Sequence, residues 1–171
     1  MTDQELRDLV ANLAVSQKET DRLVKELGRQ IGGLGNKFGS FTEGMAYPAM
    51  KKILIERFGM EGIAPEVLKR QNNHTLELDV LAWSNARHEA FVVEVKSHLR
   101  DEALEQLETI LRKFHTFYPE HQDKKVYGIL AAVHASEDME AKALQEGFYL
   151  ARIHDGQFEL KVPDGFQPRA F

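Results

Sequence analysis

Two acidic residues and one lysine interrupt apolar runs of the sequence. Asp79 lies within "TLELDVLAW", and Glu94 and Lys96 lie within "FVVEVKS". Both runs have the length and the Val and Leu content that are typical of β-strands. Charged side chains in a buried strand are costly unless something compensates their charge. The pattern therefore indicates a partner for the carboxylates, and a metal cation is the first candidate.

The polar loop "SNARHE" joins these two runs and predicts an antiparallel hairpin. A symmetric hairpin places Asp79 opposite Glu94 and Glu77 opposite Lys96. The second pair predicts a cross-strand salt bridge, whereas the first pair sets two carboxylates against each other, which destabilises a sheet. The alternative is a register that differs by two residues, with the carboxylates at solvated strand ends.

Carboxylates that share a cation form a site for Mg²⁺ or Mn²⁺, because hard cations prefer oxygen ligands and keep positions for water and a phosphate. Alternation along the strand puts Lys96 on the same face as Glu94. There Lys96 would stabilise the charge that develops on a phosphate under attack. The chemistry that this arrangement predicts is hydrolysis of a phosphate ester.

Composition narrows the partners and the metal ligands. The 22 basic and 27 acidic residues give a net charge of -5, so a nucleic-acid contact would have to be a local patch. The absence of cysteine excludes disulfides, thiolate metal sites and cysteine nucleophiles. The seven histidines form no HxH or HExxH pair, which favours carboxylates over histidines as the metal ligands. Lys69, Arg70 and Arg100 are the basic residues that the strand order places near the carboxylates.

The N-terminal segment repeats apolar residues every seven positions, which predicts a coiled-coil helix. Its polar seam residues weaken the pattern. A helix with a single apolar seam needs a partner, so we expect a homodimer or higher homo-oligomer; the alternative is a helix that folds back on its own domain. No apolar run has the length of a membrane span or signal peptide, which predicts a cytoplasmic protein without a membrane partner. The seam comprises Leu6, Leu9, Leu13, Ser16, Thr20, Leu23, Leu27, Gln30 and Leu34.

The segment "GGLGNKFG", residues 32–39, contains four glycines and predicts a break in the helix. A phosphate-binding loop is the other interpretation, but no strand precedes the segment and no GKS or GKT ending follows it. We therefore interpret it as a hinge. It divides the chain into a coiled-coil helix, residues 1–35, and an α/β domain, residues 36–171.

The second part of the sequence predicts a mixed sheet with helices on its faces, which is the α/β class. The helix "SFTEGMAYPAMKKILIERFG" comes first, and strands follow at Gly62–Lys69, Thr75–Trp83 and Ala90–Ser97. The amphipathic helix "DEALEQLETILRKFHTFYPEH" is next. The strand "KKVYGILAAVH", the helix "SEDMEAKALQEG" and a last strand with a turn at Asp155 and Gly156 complete the chain.

"LELDVLA", followed across a hairpin by "FVVEVKS" and then by a helix with Gln106 in "EALEQLETI", resembles the PD-(D/E)XK nuclease superfamily. The resemblance covers about residues 40–133 and lacks the proline that usually precedes the aspartate. It implies a restriction-endonuclease-like core and metal-dependent hydrolysis of DNA with Mg²⁺ or Mn²⁺. It also implies metal ligation by Asp79, Glu94, Glu43 and the carbonyl of Val95, with Lys96 as the catalytic lysine and Gln106 assisting.

The whole chain is also similar to a group of prokaryotic proteins in that superfamily that carry an N-terminal coiled coil. This closer resemblance implies a fold without a substrate, and the superfamily includes members that do not cleave nucleic acid. Two interpretations therefore remain at this stage. One is a nuclease that acts on DNA, and the other is a noncatalytic module whose coiled coil joins partners and whose strand charges form a salt-bridge network.

Overall fold

A long N-terminal helix precedes a six-stranded sheet in this computed structural model. The structure describes residues 2–171, and the side chains of residues 2–27, 39 and 42–171. The chain divides into two compact units, Met1–Phe38 and Gly39–Phe171. None of the helices within residues 2–171 is long and apolar enough to cross a lipid bilayer.

The first helix, α1, comprises Asp3–Glu56, so the predicted helix break at residues 32–39 is wrong. Each glycine in a helix costs about 1 kcal/mol but leaves the backbone hydrogen bonds intact, and the segment contains no proline. The leucines of the predicted seam up to Leu27 are 45 to 61% exposed. The side chains of Gln30 and Leu34, which belong to the same predicted seam, lie outside the described residues.

Strands and helices follow α1 in the predicted order, and the fold class is confirmed. The sheet consists of β1 (Gly62–Gln71), β2 (His74–Ser84), β3 (Glu89–His98), β4 (Lys125–His134), β5 (Tyr149–His154) and β6 (Gln157–Leu160). Helix α2 (Asp101–Phe117) and a 3-10 turn (Pro119–His121) connect β3 to β4, and α3 (Glu137–Gln145) connects β4 to β5. The predicted last strand is a hairpin of β5 and β6, with Asp155 and Gly156 at positive φ in its turn.

The strands are arranged in chain order from β1 to β6. β1, β2 and β3 are antiparallel, β3, β4 and β5 are parallel, and β6 returns antiparallel to β5. The predicted register of the β2–β3 hairpin is confirmed from Ser84, which pairs with Glu89, to Val80, which pairs with Val93. Pro65 lies in the edge strand β1, where a missing backbone donor is tolerated.

Two apolar cores cover the two faces of the sheet. Helices α2 and α3 supply Leu104, Leu107 and Ala143 to the first core, and the end of α1 supplies Met50 and Leu54 to the second. All five side chains are at most 1% exposed. Because helices cover both faces, each functional residue of the central strands points toward α1, toward α2, or into a gap of the sheet.

Strand β2 exchanges its faces in the middle. Leu76 and Leu78 lie in the core with α2, whereas Val80 and Ala82 lie in the core with α1, although alternation would place all four on one face. Strand alternation in "TLELDV" predicts that Leu76, Leu78 and Val80 share the face opposite Glu77 and Asp79, and for Val80 this prediction is wrong. The exchange occurs at Asp79.

Candidate functional site

Asp79 lies where β2 leaves β3. The ladder between these strands ends at Val80 and Val93, so the predicted direct pairing of Asp79 with Glu94 is not formed. Instead, Asp79 Oδ2 accepts a hydrogen bond of 2.7 Å from the backbone N–H of Val95. The carboxylate replaces the strand carbonyl that the N–H has lost, and this bond fixes its place in the gap between the strands.

The irregularity of β2 is matched in β1 by Glu66, which sequence reasoning missed. Pro65 pairs with Val80 and Val67 pairs with Leu78, so Glu66 lies between these pairs, across from Asp79. Its φ of 50° is in the left-handed region, which is rare for a non-glycine residue inside a strand. The signal in the sequence was slight: a proline in a strand, followed by an acidic residue.

Glu94 is buried, with 3% of its surface exposed, and its Oε1 atom has two partners. Gln106 donates to it from Nε2 at 3.0 Å, and Lys96 Nζ lies 2.6 Å from it. The predicted face shared by Glu94 and Lys96 is therefore present. The predicted salt bridge between Glu77 and Lys96 is wrong: it does not occur among the described residues, because the ladder that would align the two residues ends earlier.

Asp79 also lines a pocket of about 260 Å³ together with Glu43 from α1, Glu66 from β1 and Val95 from β3. Tyr47 forms part of the same wall. The predicted site residues thus fall into two adjoining groups. Asp79, Glu43 and Val95 line the pocket beside α1, and Glu94, Lys96 and Gln106 form a chain of contacts toward α2.

The electrostatics join the two groups. Burial raises the pKa of Glu94 above its ordinary value, and the charge of Asp79 raises it further. Burial likewise raises the pKa of Asp79, although the hydrogen bond from Val95 and the charge of Lys96 lower it. The pKa of Glu43 is raised by partial burial and by the nearby Asp79 and Glu66. The protein therefore gathers more negative charge here than its own lysine neutralises.

The donor set of this site fits a hard divalent cation in its chemistry. Asp79 uses Oδ2 for Val95 and Glu94 uses Oε1 for Gln106 and Lys96, so the second oxygen of each carboxylate takes no part in these contacts. Oxygen donors with uncompensated charge are what Mg²⁺ and Mn²⁺ prefer. Among residues 2–171, however, no group of three acidic or histidine side chains is already close enough to hold a metal ion.

A larger groove, of about 730 Å³, begins at Gln106 and extends between α2 and the start of β2. Leu76, Ile110 and Phe117 contribute apolar surface to it, and Glu77 lies in its wall. This groove shares Gln106 with the chain of contacts described above. Because the groove is open to solvent, a ligand in it could reach Gln106.

The basic residues that the sequence placed near the site differ in their surroundings. Lys69 is engaged elsewhere, because its Nζ atom lies 3.1 Å from Glu120 and 4.4 Å from the ring centroid of Tyr118. Arg70 lines a small pocket at the β1–β2 turn. Arg100 is exposed and is the N-cap residue of α2.

Comparisons with known proteins give structural similarity only. No protein-family model matches the sequence, and no curated protein matches it. Similar solved structures include EndoMS in complex with double-stranded DNA, with 18% identity and a TM-score of 0.40 over 64% of this chain and 44% of that one. A repair endonuclease from Pyrococcus abyssi gives 22% identity and a TM-score of 0.39 over 64% of this chain and 47% of that one.

A protein of unknown function from Silicibacter pomeroyi is also similar, with 12% identity and a TM-score of 0.45 over 76% of this chain and 73% of that one. The present chain spans less than half the length of EndoMS and of the Pyrococcus abyssi endonuclease. These similarities concern the fold of the backbone and assign no function to this chain.

Proposed function

We propose that this protein is a metal-dependent nuclease that hydrolyses phosphodiester bonds in DNA, with Mg²⁺ or Mn²⁺ as its cofactor. The observation that carries the proposal is the convergence of Asp79, Glu94 and Lys96 at the point where β2 leaves β3. The two carboxylates repel each other in a buried place, and a lysine lies 2.6 Å from one of them. A charge excess of this kind is costly to the fold, and a bound cation would remove the cost.

In this proposal each of the contacting residues Gln106, Glu94 and Lys96 has a distinct role, and so has Asp79. Gln106 donates to Glu94 Oε1 and so orients the carboxylate, and Glu94 in turn holds the ammonium of Lys96 at the edge of the site. Lys96, whose side chain is 31% exposed, is accessible to a phosphate and would stabilise the negative charge that develops on it. Asp79 is held by the N–H of Val95.

Asp79 and Glu94 would hold the cation, with Glu43 and the carbonyl of Val95 as the further ligands that the resemblance implies. When bound, a divalent cation supplies Lewis acidity toward the phosphate. The pocket that Glu43, Asp79 and Val95 line provides space for a cation beside these three residues, and Glu94 lies close enough to Asp79 for their charges to interact. Tyr47 and Pro65 shield it on the side of α1 and β1.

We also propose that the N-terminal helix joins two or more copies of the chain. Its leucines repeat at heptad spacing and are about half exposed within the described unit. Exposed leucines along one seam are typical of a helix that buries them against a second helix. A dimer would present two nuclease sites to one DNA molecule and would add their contacts to it.

The test is calorimetric titration of Mn²⁺ into metal-free protein, followed by a cleavage assay on duplex, branched and single-stranded DNA. We expect binding by the wild type, loss of binding in Asp79→Asn and in Glu94→Gln, and loss of cleavage in Lys96→Ala with metal binding retained. Both carboxylate substitutions keep the size of the side chain and remove only its charge.

Asp155→Asn and Glu159→Gln are the matched controls, since they make the same two changes on the β5–β6 hairpin, where both side chains are largely exposed. They should bind metal as the wild type does. A wild type that binds no metal, with or without DNA, would contradict the nuclease proposal.

A noncatalytic module is the second candidate, and one observation favours it. Glu94 already has Lys96 and Gln106 as partners, so its charge is partly compensated without a metal. In that case the strand charges serve stability, and Lys96→Ala should lower the free energy of unfolding because it leaves a buried carboxylate without its cation. In the nuclease, the same substitution abolishes cleavage, and metal can take the place of the lysine as the partner of Glu94.

A further inference from the structure

Three basic residues at the ends of β3 and β4 have no acidic partner among the described residues. His98 and His134 are paired in the parallel register of these strands, and their rings stack with centroids 5.1 Å apart. Arg100 follows at the start of α2. All three are exposed. We refer to His98, Arg100 and His134 as the strand-end basic patch.

The acids that lie nearest to the patch, and two of the other exposed histidines, are already paired. Asp101 pairs with Lys142, and Glu140 pairs with Arg152 and Lys161, so these acids next to the patch are already engaged. Two exposed histidines elsewhere have acidic neighbours. These are His88, which lies 2.8 Å from Asp123, and His154, which lies near Asp155 and Glu159.

The patch adjoins the proposed site along β3. Lys96 and His98 are two residues apart, so their side chains share a strand face and their Cα atoms are about 6.6 Å apart. Lys96 is the residue that contacts Glu94. A nucleic-acid strand with one phosphate at Lys96 therefore has another phosphate within reach of His98 and His134.

We propose that His98 and His134, assisted by Arg100, bind a backbone phosphate next to the phosphate that is hydrolysed. This inference rests on the proposed function. Protonated imidazoles donate charge-assisted hydrogen bonds to phosphate oxygens. Two stacked imidazoles repel each other when both carry a proton, and a phosphate that accepts from the edges of both rings offsets that repulsion. Phosphate binding at the patch is thus coupled to proton uptake by the histidines.

The coupling makes DNA affinity depend on pH. Histidine is the side chain that changes its charge between about pH 5 and pH 8, so affinity should rise as the pH falls through that range. Other charged groups lie on the elements that adjoin the two histidines. They are Lys96 on β3, Arg100, Asp101 and Glu102 on α2, Glu137, Asp138 and Glu140 on α3, and Arg152 on β5.

The experiment measures the fluorescence anisotropy of labelled duplex and single-stranded DNA with the full chain, in EDTA so that no cleavage occurs. The test variant is His98→Gln with His134→Gln, which keeps polar side chains and removes the titrating charge. The control is His88→Asn with His154→Gln; asparagine is chosen because His88 has a φ of 54°. Equal urea midpoints establish that both variants are folded.

We expect the test variant to lose about tenfold in DNA affinity at about pH 6 and to match the wild type at about pH 8. The control should follow the wild type at both values. Unchanged affinity in the test variant, an equal loss in the control, or no DNA binding by the wild type would each overturn the inference.

The outcome is separable from that of the nuclease proposal. If DNA binding depends on the two histidines but no divalent metal supports DNA cleavage, the result would support the patch and contradict the nuclease proposal. Metal-dependent cleavage by a protein whose DNA affinity is insensitive to the two histidines would support hydrolysis and overturn the patch.

Discussion

Gln106 contacts the candidate site without lining the pocket beside Asp79. It is an exposed residue of α2, yet it donates to an oxygen of the buried Glu94. We expect Gln106→Leu to lower the free energy of unfolding by about 1 kcal/mol, because Glu94 Oε1 loses one of its two donors and an apolar side chain cannot replace it. In the proposed nuclease it should also lower kcat by about tenfold or more with little change in KM, since the orientation of Glu94 and Lys96 is lost.

Steady-state kinetics and urea unfolding on the same preparations measure both effects. Glu105→Leu is the control, because it makes an exposed apolar substitution one position earlier on α2. A Gln106→Leu variant with unchanged kcat, or one whose KM alone rises, would contradict the positioning role. It would also mean that Lys96 suffices to hold Glu94.

The burial of His121 should make the stability of the protein depend on pH. It is buried against Trp83 and Phe114, and its Nδ1 atom has no hydrogen-bond partner among the described residues. Burial lowers its pKa below the ordinary value, and the charge of Lys124 lowers it further. As the pH falls below about 6.5, the unfolded chain therefore takes up a proton that the folded chain refuses, and stability is lost.

We expect the urea midpoint of the wild type to fall more between about pH 8 and about pH 5.5 than that of His121→Phe, which keeps an aromatic ring in this place. Because the wild type and the variant share all other titrating groups, the difference between their pH profiles reports on His121 alone. Parallel pH profiles would show that His121 does not take part in the acid response.

At the scale of the elements, the sequence predicted the strands but not the irregularity that makes the site. The tight loop "SNARHE" fixes the register of β2 and β3, and that register was predictable as far as Val80 and Val93. Beyond this point the strands separate, because Glu66 has a left-handed conformation and Asp79 bonds to a backbone N–H. The bond of Asp79 to Val95 joins two strands, and the left-handed conformation of Glu66 had only a slight signal in the sequence.

A trace of the irregularity was nevertheless visible in the sequence of β2. "TLELDV" alternates as a half-buried strand should, whereas "VLAW" is continuously apolar. The change from one pattern to the other falls at Asp79, where the structure exchanges the two faces of the strand. The continuous run is apolar because both faces of that half are covered by helices.

The conformation of Glu66 gives a prediction about β1. In an ordinary strand, glycine is less stable than alanine by about 0.5 to 1 kcal/mol. At a left-handed position this order reverses, since a Cβ atom costs about 1 to 2 kcal/mol there. We expect Glu66→Gly to exceed Glu66→Ala in the free energy of unfolding by about 1 kcal/mol.

Both Glu66 substitutions remove the charge next to Asp79 and Glu43, so their difference reports on the backbone alone. Urea unfolding measures it. Thr75, which pairs with Arg70 near the end of the same hairpin, provides the control: there Thr75→Ala should be the more stable of the alanine and glycine variants. The same order at residue 66 would contradict the left-handed conformation.

For the whole molecule, the heptad periodicity predicted the N-terminal helix, but the end predicted for that helix at the glycine-rich segment was wrong. The heptad spacing of the leucines indicated a helix, and the structure extends that helix through the glycine-rich segment to Glu56. Glycine lowers helix propensity without removing a hydrogen bond, so four glycines alone do not decide where a long helix ends. The sequence also contains no information on the partner of the seam, because each exposed leucine suits another chain or another surface equally well.

We expect the wild type to behave as a dimer or higher oligomer in sedimentation velocity. The double variant Leu13→Asp with Leu23→Asp should behave as a monomer, because like charges buried at a coiled-coil seam repel each other. Val15→Asp is the control: it adds the same charge on the same helix at a position outside the seam and should remain associated. A monomeric wild type would contradict the coiled coil. If the double substitution then also lowered the urea midpoint of the α/β unit, the seam would be shown to pack on its own chain, and the proposed nuclease sites would act singly.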